Sequence, residues 1–352
     1  MKTIKNVYDN LLNKGTLKEI ITLAAKGKKK RSEVQNVLNN IDEYVDKIYD
    51  MLNTGEFWLG KSHNRTIIEK GKKRELTISP FYPNRILDYI MVETLKPFIR
   101  KSMYQYCVGN VDCKGMIYGK KYIAKKYKNY KYYIKLDIHK FYPSTSSLSL
   151  FEHMKKKIKD KRFLKLCECL VLSETNLPIG SYYSQWFSNW YLQDLDYYIK
   201  QELKIPVYVR YVDDMVLLGN NKRKLLSAMY NINRYLQTKG LKLKRKEQVY
   251  TFKQRPLDFL GFRFCDNDIK MRTRNFKHLN SKIKHIRKKK HISVSQARSV
   301  MSLIGWLKQT KVGYIYYKNH VENVVKKGTL RRIISDYDRK LNGTYRNTIQ
   351  NC

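Results

Sequence analysis

The sequence lacks several features that would assign its class at once. It has no run of about 18 apolar residues, and its polar beginning, MKTIKNVYDNLLNK, is no secretory leader, which argues against a membrane-spanning or exported protein. Its six cysteines form no repeated Cys-x-x-Cys pair and its seven histidines no His-Glu-x-x-His motif, which argues against a zinc site. We therefore expect reduced cysteines in a cytoplasmic protein.

Nucleotide-binding fingerprints and acidic residues are scarce too. Residues 104–131 contain glycines and lysines but neither a P-loop nor a dinucleotide motif. Asp and Glu number 30 against 72 Lys and Arg, for a formal charge of +42. This excess indicates a polyanionic partner, either nucleic acid or a membrane surface. The 29 tyrosines, interleaved with basic residues, suit stacking on bases.

An acid pair stands out in residues 207–219, VYVRYVDDMVLLG. The flanking apolar residues favour strands and Asp-Asp favours a bend, so the segment predicts a hairpin that presents Asp213 and Asp214 at its turn. Neighbouring anions repel, and a fold that presents them together usually has a cation for them. By itself such a pair is more often a polar turn than a catalytic site.

A third acid comes earlier, in KYYIKLDIHKFYPS. Strand alternation places Ile134, Leu136 and Ile138 on one face and Tyr133, Lys135 and Asp137 on the other, so Asp137 faces open space at the end of an apolar strand. Acids from two separate strands suit two Mg²⁺ ions about 4 Å apart, which support in-line phosphoryl displacement.

The remaining chain predicts an alternation of helices and short strands. Helices are expected over residues 1–55, 81–103 (with Phe98 inward), 148–172, 181–199, 222–238 and most of the chain from 270. Strands are expected over 57–78 with a basic hairpin tip (Lys72, Lys73, Arg74), over 241–252 and as a tight pair over 257–264. The charge run Lys26–Arg31 is either a solvated helix end or a phosphate contact.

Five blocks resemble, in order, those of the reverse transcriptase family: KLDIHKFYPS, LPIGSYYSQ, YVDD, the strand around Lys246, and LDFLGF. The resemblance runs from about residue 60 to 265. It implies an α+β right-hand polymerase, with a palm sheet backed by helices, fingers and a helical thumb. The implied domains are an N-terminal helical extension (1–55), fingers (56–130), a palm (131–268, with a helical insertion at 148–176) and a thumb (269–352).

The resemblance also implies residue roles. Asp137 and Asp213 resemble the metal-bridging aspartates, Asp214 the third acid, and Ile138 a residue that offers its backbone carbonyl to one of two Mg²⁺ ions. Tyr142 resembles the aromatic steric gate against a 2′-OH. The other implied nucleotide-binding residues are Lys73, Arg74, Ile179, Gly180, Gln185 and Lys246, the last a candidate general acid near the leaving pyrophosphate; the implied primer grip is Phe259, Leu260 and Gly261.

Within the family, Ile179, Gly180, Ser184 and Gln185 are similar to the block of diversity-generating retroelement reverse transcriptases. An apolar Ile179, where many relatives have Gln, implies error-prone synthesis opposite template adenines. The expected partners are RNA template and primer, a structured non-coding RNA, cDNA, dNTPs and a small basic accessory protein, with no membrane. A bacterial defence-associated or retron-like enzyme, or a non-catalytic RNA-binding protein, is the alternative.

Overall fold

The computed structural model describes residues 3–69, 71–245, 247–288 and 291–349, with side chains up to residue 339. Two compact units make up the chain. The first comprises the residues up to Gly115, Ile134–Leu217 and Lys222–Gln248; the second comprises Met116–Tyr133, Leu218–Asn221 and the residues from Val249 on. Helices and strands are mixed in an α+β architecture, as expected.

The helices, numbered in chain order, are α1 (Lys14–Ala25), α2 (Ser32–Asn39), α3 (Ile41–Thr54), α4 (Ile86–Ser102), α5 (Met116–Lys126), α6 (Phe141–Ser144), α7 (Ser147–Lys157), α8 (Lys161–Val171), α9 (Tyr182–Tyr191), α10 (Gln193–Tyr197), α11 (Lys222–Gln237), α12 (Thr273–Arg287), α13 (Val294–Leu307), α14 (Lys311–Tyr316) and α15 (Lys327–Ile349). The strands are β1 (His63–Glu69), β2 (Lys72–Ile78), β3 (Tyr132–Asp137), β4 (Val207–Tyr211), β5 (Asp214–Gly219), β6 (Tyr250–Thr251), β7 (Leu257–Phe259), β8 (Phe262–Phe264) and β9 (Ile269–Met271).

In the first unit, the predicted N-terminal helices are confirmed as α1 to α3. The Asn13 side chain accepts a hydrogen bond from the Thr16 N–H and so caps α1. Gly55 ends α3 at φ 69°, a left-handed conformation that glycine adopts without steric cost. The charge run Lys26–Arg31 lies between α1 and α2.

Strands β1 and β2 form an antiparallel hairpin that pairs from Glu69 with Lys72 to His63 with Ile78. Lys73 and Arg74 therefore lie within β2, so their predicted position at the hairpin tip is wrong. Helix α4 follows. Its residue Phe98 is 36% exposed, so the expected inward position is wrong; Leu95 and Ile99 occupy the buried face instead.

The central sheet of the first unit places β5 between β4 and β3. Its apolar residues are buried, including Ile134 and Leu136 on β3 and Met215 to Leu217 on β5. The single helix expected over 148–172 is two helices, α7 and α8. Asp160 separates them because its carboxylate caps α8 at the Phe163 N–H and also accepts the backbone N–H groups of Val7 and Tyr8.

In the second unit, residues Tyr132 and Tyr133 at the start of β3 pair with β6. Tyr133 is buried against the rings of Tyr250 and Phe252, so its expected place on the open face is wrong. The strand predicted over 241–252 is confined to β6 and an isolated bridge between Ile138 and Leu243, the latter in the first unit.

A three-stranded sheet of β7, β8 and β9 continues the second unit, and β7–β8 is the predicted strand pair. Helices α12, α13 and α15 pack around a core that includes Leu279, Val300, Ile304 and Leu330. The expected helical end of the chain is thus confirmed.

Candidate active site

The three acids occupy neighbouring positions on the sheet of the first unit. Asp137 is the last residue of β3, Asp213 lies in the turn between β4 and β5, and Asp214 is the first residue of β5. Asp137 and Asp213 line one cleft of about 940 Å³. Asp214 is not among the residues lining this cleft, and its carboxylate faces Lys135 instead.

The three acids interact electrostatically. Burial and, to a smaller extent, the charges of Asp214 and Asp137 together raise the pKa of Asp213 to about 6, while Arg74 acts in the opposite direction. Like charges at short range disfavour ionisation, so a cation bound near the three acids would be stabilised. Among the three, Asp213 is the acid whose pKa is raised.

Two lysines that the sequence analysis did not single out face this trio. The Lys244 ammonium lies 3.1 Å from Oδ2 of Asp137, and the Lys135 ammonium lies 3.2 Å from Oδ1 of Asp214. Strand alternation places Lys135, two residues before Asp137, on the same face of β3, but it gave no reason to assign this lysine a role in the site. Lys244 could not be found this way because its partner is 107 residues away.

Among the residues with described positions, no three His, Cys, Asp or Glu side chains are grouped so as to hold a metal ion. The donors still suit Mg²⁺, which usually takes one or two carboxylates and completes its shell with water and substrate phosphates. Asp137 and Asp213, which share the cleft, provide this set. Ile138 also lines the cleft. The residues on either side of it form backbone hydrogen bonds: His139 N–H donates to the Lys242 carbonyl, and the Asp137 carbonyl accepts from Lys244 N–H.

A buried ion pair supports the turn that carries Asp213. Arg210 and Asp196 are fully buried and bind each other at 2.7 Å (Nε to Oδ1) and 2.5 Å (Nη2 to Oδ2). Burial alone would lower the pKa of Arg210, but the Asp196 carboxylate reverses this and raises it. Arg210 Nη1 also donates to the carbonyl of Val212, next to Asp213, at 3.1 Å.

Val212 has φ 57°, which is unusual for a β-branched residue and requires support from its surroundings. Gly109 packs directly on it: a Cβ at Gly109 would lie 2.7 Å from Val212 N. Asn189 holds Gly109 in place by donating to its carbonyl at 2.6 Å. The position of Asp213 therefore depends on residues from three distant parts of the chain.

The hairpin β1–β2 contributes cations to the cleft. Lys72, Lys73 and Arg74 all line it. Arg74 forms an ion pair with Glu69 across the hairpin at 3.2 Å, and its charge lowers the pKa of both Asp213 and Tyr142. Arg74 thus lies within electrostatic range of the acids.

The segment around Ile179 is held on two sides. Thr77 N–H donates to the Ile179 carbonyl at 2.9 Å, and Leu177 N–H donates to the Thr145 carbonyl at 2.9 Å. Gly180 has φ 129°, and a Cβ there would lie 2.6 Å from the Thr77 carbonyl oxygen, so only glycine fits. Ile179 lines the cleft; Gly180 and Gln185 are exposed and are not among its lining residues.

Residues at the start of helix α4 form hydrogen bonds with Gly180, Tyr182 and Tyr183. Arg85 Nη1 donates to the Gly180 carbonyl at 2.7 Å. The buried Asp88 carboxylate accepts the N–H groups of Tyr182 and Tyr183 at 2.6 and 2.7 Å, and so caps α9 from another helix. Burial raises the pKa of Asp88 to about 6, although both backbone hydrogen bonds act to lower it.

Tyr142 is in the first turn of the short helix α6, between the cleft residues Phe141 and Pro143. Burial raises its pKa, a hydrogen bond with Ser188 lowers it, and the charge of Asp213 raises it again. Tyr142 therefore lies near the acid trio, although it is not itself among the lining residues of the cleft.

The expected primer-grip residues belong to the second unit. Leu260 and Gly261 form the turn between β7 and β8 with φ 51° and 80°. A Cβ at Gly261 would lie 2.0 Å from the Trp306 ring, so the turn requires glycine. Phe259 and Leu260 are buried. Lys246, expected near the pyrophosphate, lies outside the described residues.

Two strands thus bring acids together beside a cleft that cations also line. The family model for reverse transcriptase (RNA-dependent DNA polymerase) matches residues 62–264, more than half of the chain. The chain belongs to the reverse transcriptase family, and it is an RNA-directed DNA polymerase, a nucleotidyltransferase that uses an RNA template and dNTPs.

No curated protein matches the chain in a sequence comparison. Within the described residues, no helix combines the length and apolar character that crossing a bilayer requires. The five cysteines with described positions are free thiols, as expected from the lack of pairing motifs.

Proposed function

We propose that Asp137, Asp213 and Asp214 are the catalytic acids of cDNA synthesis and that they act with two Mg²⁺ ions. When bound, such ions supply activation of the primer 3′-OH and charge stabilisation of the α-phosphate and leaving pyrophosphate. The observation that carries the proposal is the shared cleft of Asp137 and Asp213, in which their like charges act on each other.

The chain's own residues position the nucleotide in this proposal. Lys73 and Arg74 bind the triphosphate, because they line the cleft beside the acids. Tyr142 excludes a 2′-OH, and Ile179 and Gly180 lie against the base and sugar of the incoming nucleotide. Gln185 supports them from the exposed first turns of α9. Lys246 is retained as a candidate general acid and Phe259, Leu260 and Gly261 as the primer grip.

The proposed domains are fingers (56–130), palm (131–268) and thumb (269–352). Nucleic acid is the proposed partner of the second unit as well as of the first. A groove of about 690 Å³ between α13 and α15 is lined by Lys308, Lys327 and Arg331. Phosphate contact with such cations supplies most of the affinity for a nucleic acid duplex. The formal charge of +42 supports the same partner.

The biological role that we propose is error-prone synthesis on a structured RNA, as in diversity-generating retroelements, with a small basic accessory protein in the cytoplasm. Its support is the Ile179-Gly180-x-x-x-Ser184-Gln185 block and the rigid hold of the backbone on Ile179. Sequencing the cDNA made on the native RNA tests the role. Substitutions confined to template adenines support it; a faithful, repetitive or untemplated product would indicate a defence-associated enzyme.

Replacing Asp213→Asn together with Asp214→Asn should abolish primer extension, because neither remaining amide can balance the cations of the site. RNA binding should stay within a few-fold of wild type, since two negative charges are removed from a basic surface. The matched control is Asp46→Asn with Asp50→Asn, which removes two exposed acids of α3. Extension on a primed RNA template with labelled dNTP is the measurement, and normal extension by the Asp213/Asp214 variant would refute the assignment.

A further inference from the structure

We propose that Lys135 and Lys244 are resident counter-ions of the catalytic acids: they neutralise Asp214 and Asp137 in the metal-free enzyme and compete with divalent cations for the same oxygens. The inference rests on the proposed function of the acid trio. It adds two residues to the site and predicts that they set how much metal the enzyme needs.

The backbone places Lys244 at Asp137 with little freedom. Its N–H donates to the Asp137 carbonyl at 2.8 Å, while its ammonium lies 3.1 Å from Oδ2 of the same residue. The preceding residue, Leu243, bridges Ile138 and donates its N–H to the Asn233 side chain on α11 at 2.9 Å. Backbone contacts of Leu243 and Lys244 thus hold the Lys244 ammonium beside the Asp137 carboxylate.

Lys135 reaches Asp214 from the neighbouring strand. It is on the same face of β3 as Asp137 because side chains two residues apart share a face. Its ammonium lies 3.2 Å from Oδ1 of Asp214, and both side chains are about two-thirds buried, with 34% and 38% exposed. Each of the two lysines therefore serves a different acid of the trio.

The charges of Asp137 and Asp214 act unfavourably on the Asp213 carboxylate, and partial burial of the site weakens the screening by water. Two ammonium groups offset two of the three charges. Within the described part of the chain, Asp213 forms no ion pair, and it is the acid whose charge remains to be balanced. The two ion pairs thus keep the metal-free site folded with its acids close together.

A divalent cation that binds Asp137 or Asp214 has to displace the lysine. The long lysine side chain allows the ammonium to swing away without a change of the backbone. Lys244 lines the cleft that also contains Lys73 and Arg74, so its ammonium then has the triphosphate as its nearest new partner. The exchange predicts opposite effects of removing Lys244: tighter metal binding and weaker dNTP binding.

The test uses the full-length chain without nucleic acid, with Mn²⁺ as probe and free Mn²⁺ measured by electron paramagnetic resonance. Lys244→Met and Lys135→Met should each tighten Mn²⁺ binding by up to about fivefold, because a partly exposed ion pair of up to about 1 kcal/mol no longer competes. Lys242→Met is the matched control, because Lys242 is exposed and lies two residues before Lys244. The ion pair of Asp137 is with Lys244 and not with Lys242. Lys244→Met should also raise the KM for dNTP while Lys242→Met leaves it unchanged.

The outcomes separate the inference from the function on which it rests. If Asp137→Asn, Asp213→Asn and Asp214→Asn combined leave Mn²⁺ binding unchanged, the acid trio is not the metal site and the proposed function fails. If the triple variant loses Mn²⁺ but Lys244→Met and Lys135→Met bind it no tighter than Lys242→Met, the counter-ion inference is overturned and the acid site stands. Circular dichroism and thermal melting of every variant identify a change that is only a folding defect.

Discussion

At the scale of single residues, the site depends on where backbone approaches backbone. Asp213 is in a turn whose Val212 has a left-handed conformation, and Gly109 packs against the Val212 N–H with no room for a side chain. The glycine is therefore required by the packing of this turn and carries no chemistry of its own. Its role is to let the acid-bearing turn sit close to the loop before α5.

Gly109→Ala should lower both the stability of the chain and its polymerase activity, because it displaces the turn that carries Asp213. A Cβ would lie 2.7 Å from Val212 N and 2.8 Å from Val212 Cγ2, so the turn must shift, at a cost of about 1–3 kcal/mol typical of overpacking. Gly305→Ala in α13 is the control, because no heavy atom lies within 4 Å of its Cβ position and alanine favours a helix. Thermal melting and kcat of both variants decide; full activity of the Gly109 variant would contradict this account.

Ile179 provides a second test at this scale. Its backbone is fixed by Thr77, so a substitution should change the side chain presented to the nucleotide and not the position of the loop. Ile179→Gln should lower misincorporation opposite template adenines, because a hydrogen-bonding side chain restrains base and sugar. Ile179→Val is the control, and deep sequencing of the cDNA is the measurement. An unchanged error spectrum in the Gln variant would remove Ile179 from the proposed fidelity mechanism.

At the scale of elements, the start of helix α4 holds the segment that carries Gly180. Arg85, the N-cap residue of α4, donates to the Gly180 carbonyl, and Asp88 in the first turn of α4 accepts the first N–H groups of α9. Arg85 provides a positive group for a carbonyl and Asp88 a negative group for a helix N-terminus, whose dipole favours an anion. These contacts fix the backbone directly after Ile179.

The burial of Asp88 predicts a pH-dependent stability difference between wild type and Asp88→Asn. Burial raises the pKa of Asp88 from 3.8 to about 6 in the folded chain, so folding favours the protonated acid. The stability that Asp88 contributes is present below its unfolded pKa and is lost as pH rises through about 6. Wild type should thus lose up to about 3 kcal/mol relative to Asp88→Asn between pH 4 and pH 7, at about 1.4 kcal/mol per pKa unit.

Urea unfolding of both chains at several pH values measures this difference, and groups common to both cancel. A difference that stays constant with pH would show that Asp88 is ionised in both states. The KM for dNTP at neutral pH separates the positioning role from stability, since loss of one of the two N–H acceptors should move α9 and weaken nucleotide binding.

At the scale of the whole molecule, charge is the dominant property. Most acids with described side chains form ion pairs, which leaves a large excess of cations for a polyanionic partner. In the second unit, Lys327 and Arg331 line the groove between α13 and α15, and within the described side chains neither forms an ion pair. They are the cations best placed there to bind phosphate.

Lys327→Gln with Arg331→Gln should weaken RNA–DNA binding uniformly across sequences and flatten its salt dependence. Each lost phosphate contact lowers the slope of log K against log salt by about 0.7 to 0.9. Lys14→Gln with Lys18→Gln is the matched control, because these lysines are already paired with Asp46 and Asp42. Fluorescence anisotropy between 50 and 200 mM salt, a range typical of such measurements, decides; equal slopes for both double variants would exclude the groove.

Patterns within one segment were predictable from the sequence. The helices of residues 14–54, the strand pair at 257–264 and the hairpin at Asp213 follow from apolar spacing and turn residues, which act over a few positions. Several expectations failed because packing decides them. Asp160 breaks the helix expected over 148–172, Phe98 and Tyr133 do not face as expected, Lys73 and Arg74 lie within β2, and residues 241–252 form little strand.

The sequence by itself determined the class of enzyme and was enough to propose its catalytic acids, because the order of short motifs and the charge balance are properties of the linear chain. Only the tertiary structure decided what stands opposite those acids. Lys244 meets Asp137 across 107 positions, and Asp88 meets α9 across 94. Such contacts arise from packing, and no local periodicity encodes them.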